Sequence, residues 1–248
     1  MTRISLAIVL TAILVPAMSR SDEHTIAYAT CMAYAREDPA RAVEAAQRWI
    51  EEGGEGPARH CEAIALLGLL RYADAALALE TLAEQVTEAP VEDRADLLEQ
   101  SAQAWLLAGD APRAIEALSD ALDLRPDAIE YLIGRAIAQA SMAAYWEAVD
   151  DLNRALELAP ERVDALVMRA AAYRYLESLE LAAADADRAL ELDPTNAEAY
   201  MERGNIRRIA GDADGARADW RRVIELAPHS PAAAFARANL AHIDQATD

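Results

Sequence analysis

The sequence contains no lysine: all 23 basic residues are arginine, and they face 43 aspartates and glutamates, for a formal net charge of −20 over 248 residues. Without a basic patch there is no counterion release to drive association with nucleic acid, so that class of partner is excluded. An anionic membrane surface is disfavoured by the same sign of charge. Aromatic residues are scarce, at 5% with a single phenylalanine, while 54% of the chain is hydrophobic, so the core must be built mainly from alanine and leucine. The acidic surface keeps such an alanine-rich chain soluble. His24, His60, His229 and His242 are isolated from one another. The chain has no glycine-rich phosphate loop, no Gly-x-Ser-x-Gly elbow and no His-Glu-x-x-His pair. Paired carboxylates such as Asp150-Asp151 and Glu51-Glu52 are frequent, but so many acids make chance neighbours on solvated helix faces. The expectation is a non-enzymatic protein with no cofactor and no metal.

What the chain does contain is a repeat. Pro126, Pro160, Pro194 and Pro228 stand 34 residues apart each time. Aligning on them brings small residues into line twelve positions earlier, at Ala114, Ala148, Ala182 and Ala216. Ala102, Ala136, Ala170 and Gly204 align twenty-four positions earlier. Leu118, Leu152, Ala186 and Trp220 align eight before, and Ala121, Ala155, Ala189 and Val223 five before. Each unit reads as one helix, a tight turn, a second helix and a proline that stops it. Gly109-Asp110 and Gly211-Asp212 fall at the turns, where glycine ends one helix and aspartate caps the next. Two antiparallel helices of this length cannot bury their apolar faces alone, so the units must stack on their neighbours.

These small, large and proline positions resemble the tetratricopeptide repeat, in register over residues 95–228, as four units at 95–128, 129–162, 163–196 and 197–230. At repeat position eleven the usual aromatic is present only as Trp105 and Tyr173, with Gln139 and Arg207 elsewhere. The resemblance implies an all-α, right-handed solenoid of stacked helical hairpins. It also implies that the first helix of each repeat lines a concave groove, with positions two, five, nine, twelve and thirteen exposed there.

Carried onto this chain, position two gives Asp96, Glu130, Asp164 and Glu198, an acidic edge. Position five gives Glu99, Ile133, Val167 and Met201, and position nine gives Gln103, Ile137, Ala171 and Asn205. Position twelve gives Leu106, Ala140, Arg174 and Arg208, while position thirteen gives Leu107, Ser141, Tyr175 and Ile209. Arrays of this family that capture a C-terminal carboxylate use lysine at position five and asparagine at position nine. Only Asn205 fits, so that activity is not implied. The expected partner is a protein or peptide with an apolar stripe and basic flanks. A competing reading gives the position-two acids to the helix dipoles, whose N-terminal ends favour negative charge. The functional expectation is an envelope scaffold or adaptor, with a holdase chaperone or the regulatory subunit of an enzyme complex as alternatives.

Outside the regular repeats, Arg3 precedes an apolar run from Ile4 to Met18, with small-residue cleavage patterns ending at Ala17 or Ser19. The run is interrupted by Pro16 and falls short of the roughly 20 residues that span a bilayer, so a cleaved signal peptide over 1–19 is favoured over an anchor. No cysteine closely follows it, which argues against lipidation. Export to a periplasm, with no stable membrane anchor after cleavage, is the expectation. Residues 20–94 read as two degenerate hairpins, each with one of the two cysteines, Cys31 and Cys61, on its first helix. Adjacent first helices lie side by side, and an exported chain with two cysteines so placed suggests a disulfide. His60 beside Cys61 raises a metal site as an alternative, but no paired Cys-x-x-Cys or fourth ligand supports it. Ser230-Pro231 opens a final capping helix within 231–248, ending in a polar tail.

Overall fold

The computed structural model describes residues 20–245, so the expected signal segment at 1–19 and the last three residues of the tail lie outside the described residues. Among the described residues there are thirteen α-helices and no strand. Two hairpins come first: α1 (Arg20–Glu37) with α2 (Pro39–Glu51), and α3 (Glu55–Gly68) with α4 (Tyr72–Gln85). The regular hairpins follow as α5 (Val91–Ala108) with α6 (Ala111–Leu124), and α7 (Ile129–Ser141) with α8 (Tyr145–Leu158). Then come α9 (Val163–Tyr175) with α10 (Leu179–Leu192), α11 (Ala197–Ile209) with α12 (Ala213–Leu226), and the last helix α13 (Pro231–Gln245). Each helix packs on its sequence neighbours, and first helices also touch the first helix one hairpin on, as α5 does α7 and α9 does α11. This is an α-solenoid, in which each unit contacts only its neighbours.

The punctuation works as its chemistry requires. Each of the four periodic prolines sits two residues beyond the end of a second helix, where a missing N–H and a fixed φ prevent continuation. Gly109 and Gly211 adopt φ of 80° and 88° at hairpin turns. Asp110 and Asp212 then cap the following helices, accepting from the Arg113 and Gly215 backbone N–H groups at 3.2 and 2.9 Å. Ser230 Oγ accepts from the Ala233 N–H at 3.1 Å at the start of α13. Pro90, which the sequence marks as the opening of a longer helix, is the N-cap of α5, so α5 begins at Val91, four residues before the repeat frame at 95.

Alanine dominates the interior, as the shortage of aromatics demands. Ala102, Ala114, Ala121, Ala148, Ala155, Ala165, Ala182 and Ala189 are fully buried, and one apolar cluster runs continuously from Leu66 to Ala199. The exchange of small for large is explicit in the last regular hairpin. A Cβ at Gly204 would sit 2.6 Å from Trp220 Nε1, so the fully buried Trp220 occupies the space left by the missing side chain.

A polar ladder crosses this apolar interior. Arg135 donates to both carboxylate oxygens of Asp151 at 2.7 and 2.8 Å and to Ser119 Oγ at 3.1 Å. Thirty-four residues on, Arg169 donates to Asp185 at 2.7 Å twice and to Asn153 at 2.7 Å. Thirty-four further, Arg203 donates to Asp219 at 3.0 and 2.8 Å and to Asp187 at 2.8 Å. In each case the arginine lies on a first helix, its buried aspartate on the second helix of the same hairpin, and the third partner on the hairpin before. A bidentate guanidinium–carboxylate pair is directional, so the ladder fixes both intra-hairpin geometry and inter-repeat rotation. The first regular hairpin has Ser101 and Ala117 in these places; there Ser101 Oγ donates to the Ala76 carbonyl at 3.1 Å and to Glu80 at 3.2 Å.

Near the N-terminus Cys31 and Cys61 form a disulfide between α1 and α3, with Cα atoms 6.2 Å apart. Both are buried. Among the described residues no group of acids, histidines and cysteines is placed to hold a metal ion.

Two outcomes follow for stability. The bridge closes 30 residues of chain, so Cys31→Ser/Cys61→Ser should lower stability by about 3–4 kcal/mol, read as an earlier urea midpoint that reductant no longer shifts. Asp185→Ala, which leaves Arg169 half-buried without its partner, should cost about 3–5 kcal/mol; Arg169→Leu/Asp185→Leu should cost much less. Equal losses in the two variants would show that the ladder contributes by packing and not by charge.

Candidate protein-binding groove

The first helices α5, α7, α9 and α11 lie side by side, and α13 extends the row. Its register continues the repeat, since Asn239 Nδ2 donates to Asn205 Oδ1, 34 residues earlier, at 3.3 Å. The sequence-derived groove positions therefore do fall on one row of helices, but the structure sorts them into three kinds.

The first kind is buried structure. Ile133 is only 5% exposed and packs in the main core, which corrects the expectation of an open position. Position five faces the neighbouring first helix, and only its outer edge meets solvent. Val167 and Met201 are half-buried for the same reason, with Met201 packed in the cluster that α12 and α13 share. Asn205 is half-buried and engaged by Asn239.

The second kind is acid already paired. Asp96 accepts from Arg125 Nη1 at 3.2 Å and from the Tyr131 hydroxyl. Burial and that hydrogen bond to Asp96 push the Tyr131 hydroxyl up to about 12. Arg162 spans two repeats: it donates to Glu130 at 2.6 and 3.0 Å and to Asp164 at 2.8 and 2.9 Å. The Arg162 guanidinium holds the Asp164 carboxyl below the usual range, and Asp164 also accepts from the Ala165 N–H at 2.9 Å. Three of the four residues of the expected acidic edge thus have internal cations. Glu198 is exposed and forms no ion pair.

The third kind is open to a partner. Ile137 and Tyr175 are 42% and 55% exposed and line an apolar cavity of about 240 Å³ between α7, α8 and α9, with Ala140, Tyr145, Met168 and Ala171. One wall is rigid. The Tyr175 ring stacks on Tyr145 at 4.6 Å with the planes 1° apart, and the Arg174 guanidinium lies 4.2 Å from the Tyr175 centroid. Arg174 is itself fixed by an ion pair with the buried Glu202. A side chain held by two stacking partners loses little further freedom on binding. Arg208 is exposed, with no ion pair.

Glu99, next along the row on α5, is a carboxylate with no cation paired to it among the described residues. Its hydrogen-bond partner there is Gln103, one turn on. Burial raises the Glu99 carboxyl above its usual range, and repulsion from Asp96 and Glu130 raises it further against the lowering by Gln103. A larger cleft of about 400 Å³ between α4, α5 and α6 is lined chiefly by charge, including Glu80, Glu84, Glu116, Asp120 and Asp123. Its apolar residues, Leu98 and Leu124 among them, are ringed by these charges, whereas the Ile137–Tyr175 cavity has no charged side chain in its lining, so the latter is the better seat for an apolar segment.

Comparison with known proteins agrees with this architecture. Tetratricopeptide-repeat family models match residues 163–196 and 186–218. Residues 163–218 are tetratricopeptide repeats, and the hairpins on either side of them share that fold. No curated protein sequence matches the chain significantly. Among solved structures, MamA residues 41–end from Desulfovibrio magneticus RS-1 is similar at 20% identity, covering 78% of this chain and 98% of that one, with a TM-score of 0.57. A crystal structure of MamA protein has 17% identity over 70% of this chain and 92% of its own, at a TM-score of 0.60. YrrB, described as a tetratricopeptide protein with an unusual peptide-binding site, has 17% identity over 79% of this chain and 98% of its own, at 0.58. At these identities the likeness is one of fold.

The electrostatics of Glu99 give a test. A raised carboxyl pKa means the folded state prefers the protonated form, so ionised Glu99 costs stability above its folded pKa, and that cost vanishes below the unfolded value of about 4.3. Glu99→Gln should therefore raise the thermal midpoint at neutral pH, and the gain should fade as pH drops toward 4. A gain that persists unchanged in acid would assign the effect to packing.

Proposed function

We propose that the protein is a non-enzymatic scaffold that captures a protein segment with an apolar stripe and basic flanks in the row of first helices. The observation that carries this reading is the pairing of an open apolar cavity, walled by the fixed Tyr145–Tyr175 stack, with the uncompensated carboxylate of Glu99 one repeat away. An apolar anchor fills the cavity, and an arginine or lysine of the partner supplies the cation that Glu99 lacks. Extended concave surfaces are how stacked repeats bind partners. YrrB, similar in fold and described as having a peptide-binding site, is consistent with this use.

We place the protein in an envelope compartment, after removal of residues 1–19. The charge and length of the apolar N-terminal run support that reading, as does the buried disulfide, a bond characteristic of oxidising compartments. There it acts as an adaptor; a holdase would need an apolar surface tolerant of many clients, and the rigid Tyr175 wall favours one.

The test is affinity capture of the mature protein from crosslinked envelope fractions, beside Ile137→Glu/Tyr175→Glu. Both residues are exposed, so the variant keeps its fold, whereas Ile133→Glu would bury an unpaired carboxylate. A single saturable partner lost only with the variant is expected. Many unrelated proteins would instead favour a holdase, and absence of the bait from the envelope fraction would overturn the localisation.

A further inference from the structure

The two edges of the solenoid differ in kind. Antiparallel hairpins place every turn within a hairpin along one edge and every proline turn between hairpins along the other. Within residues 95–230, the large apolar side chains left exposed are Leu107, Ile137, Met142, Trp146, Leu158, Tyr175, Leu181 and Ile209. Ile137 and Tyr175 belong to the groove, and Leu158 alone sits at the proline edge. The remainder lie at the ends of first helices, in the hairpin turns or in the first turn of second helices. Trp146 and Leu181, 59% and 52% exposed, occupy those first turns in adjacent repeats, with the Tyr145–Tyr175 stack joining the same two units.

Arginines at both edges are paired, with Arg113, Arg174 and Arg207 at the hairpin-turn edge. Arg125, Arg154, Arg162 and Arg188 stand at or near the proline edge, and each forms an ion pair. At the hairpin-turn edge of the central repeats, Glu147, Glu177 and Glu180 are exposed, and none of them forms an ion pair among the described residues. Glu177 does so from a left-handed backbone with φ of 57°, as Leu70 and Ala143 do at φ of 59° in equivalent turns. Glycine serves this conformation at Gly109 and Gly211, at no steric cost.

We propose that this hairpin-turn edge, centred on Trp146 and Leu181, is a second docking surface, distinct from the concave groove, and that its occupant is a cationic amphipathic helix of another protein. Exposed apolar side chains interspersed with these acids (Trp146 stands where the next repeat has Glu180, and Leu181 where the previous one has Glu147) are complementary to a helix with leucine-type residues among arginine or lysine. The same acids repel an anionic bilayer, and a second copy of this chain would bring like charge against like.

Trp146 makes the proposal directly readable, because Trp105 and Trp220 are buried and Trp49 is half-buried. The probe is a synthetic helix-forming peptide with leucines at i, i+3, i+4 and i+7 and arginines on both flanks, titrated into the mature protein at about 0.15 M salt. The expected result is a blue shift and acrylamide protection of Trp146 emission. Trp146→Ser/Leu181→Ser should weaken labelled-peptide binding roughly tenfold or more. Ile137→Glu, in the groove, should change it less than about twofold. Both variants alter exposed side chains, so matching thermal midpoints keep folding out of the comparison. The reverse pattern would overturn the edge proposal while supporting the groove. Three other results also overturn it: equal binding of a peptide with its leucines replaced by serine, no binding at all, or Trp146 protection by phosphatidylcholine vesicles. Concentration-dependent dimerisation abolished by the edge variant would give the surface to a second copy, against the proposal.

Discussion

Everything in this solenoid depends on how one hairpin is rotated on the next, and the arginine–aspartate ladder sets that rotation. Alanine-rich interfaces are permissive: small side chains allow helices to approach closely, but they interlock weakly and tolerate sliding. A bidentate pair such as Arg169–Asp185, with a third contact to Asn153 on the preceding hairpin, has far less tolerance. A buried ion pair is weak evidence of added stability, because desolvation offsets most of the attraction. Its use here is geometric. Replacing bulky apolar knobs with directional polar contacts lets a chain with 5% aromatic residues specify a single superhelix.

That solution uses up cations. Arg135, Arg169 and Arg203 are committed to the interior ladder, while Arg125 and Arg162 neutralise the acids at the start of the first helices. With 23 arginines against 43 acids, what is left is a surface whose unpaired groups are nearly all negative. Arg113, Arg174 and Arg207 at the hairpin-turn edge are committed to acids as well. Glu99 and the hairpin-turn acids Glu147, Glu177 and Glu180 are left where apolar side chains are also exposed. Function is read from that coincidence of open apolar surface and uncompensated charge, and the net charge alone would not reveal it.

The 34-residue spacing of the prolines was enough to place every hairpin from α5 to α12, because proline, glycine and capping aspartate act locally and need no tertiary information. The groove was less legible. Position five is open in the general pattern, but Ile133 is buried in the main apolar cluster, and burial is a property of packing that spacing does not show. The position-two acids read as a free edge, yet Arg162 reaches both Glu130 and Asp164. Nothing in the sequence spacing shows where so long a side chain goes. The ladder, by contrast, was readable and missed. Arg135, Arg169 and Arg203 recur every 34 residues, as do Asp151, Asp185 and Asp219. The alignment that found the alanines would have found them, had they not been taken for ordinary members of a crowded set of charges.

The ladder also bears on how far the groove can adjust to a partner. A solenoid held only by alanine contacts would flex at every repeat and spread the cost of binding over the array. Here the units from α7 to α12 are tied by directional contacts, and the wall of the Ile137–Tyr175 cavity is braced through Arg174 to Glu202 on α11, in the next repeat. The junction of α5–α6 with α7 has the same kind of tie, Arg135 to Ser119, and a second one from the Tyr131 hydroxyl on α7 to Asp96 on α5. Glu99 sits beside that second tie, with Asp96 and Glu130 as its charged neighbours, so a partner cation that relieves their repulsion acts on a joint the array already holds in place.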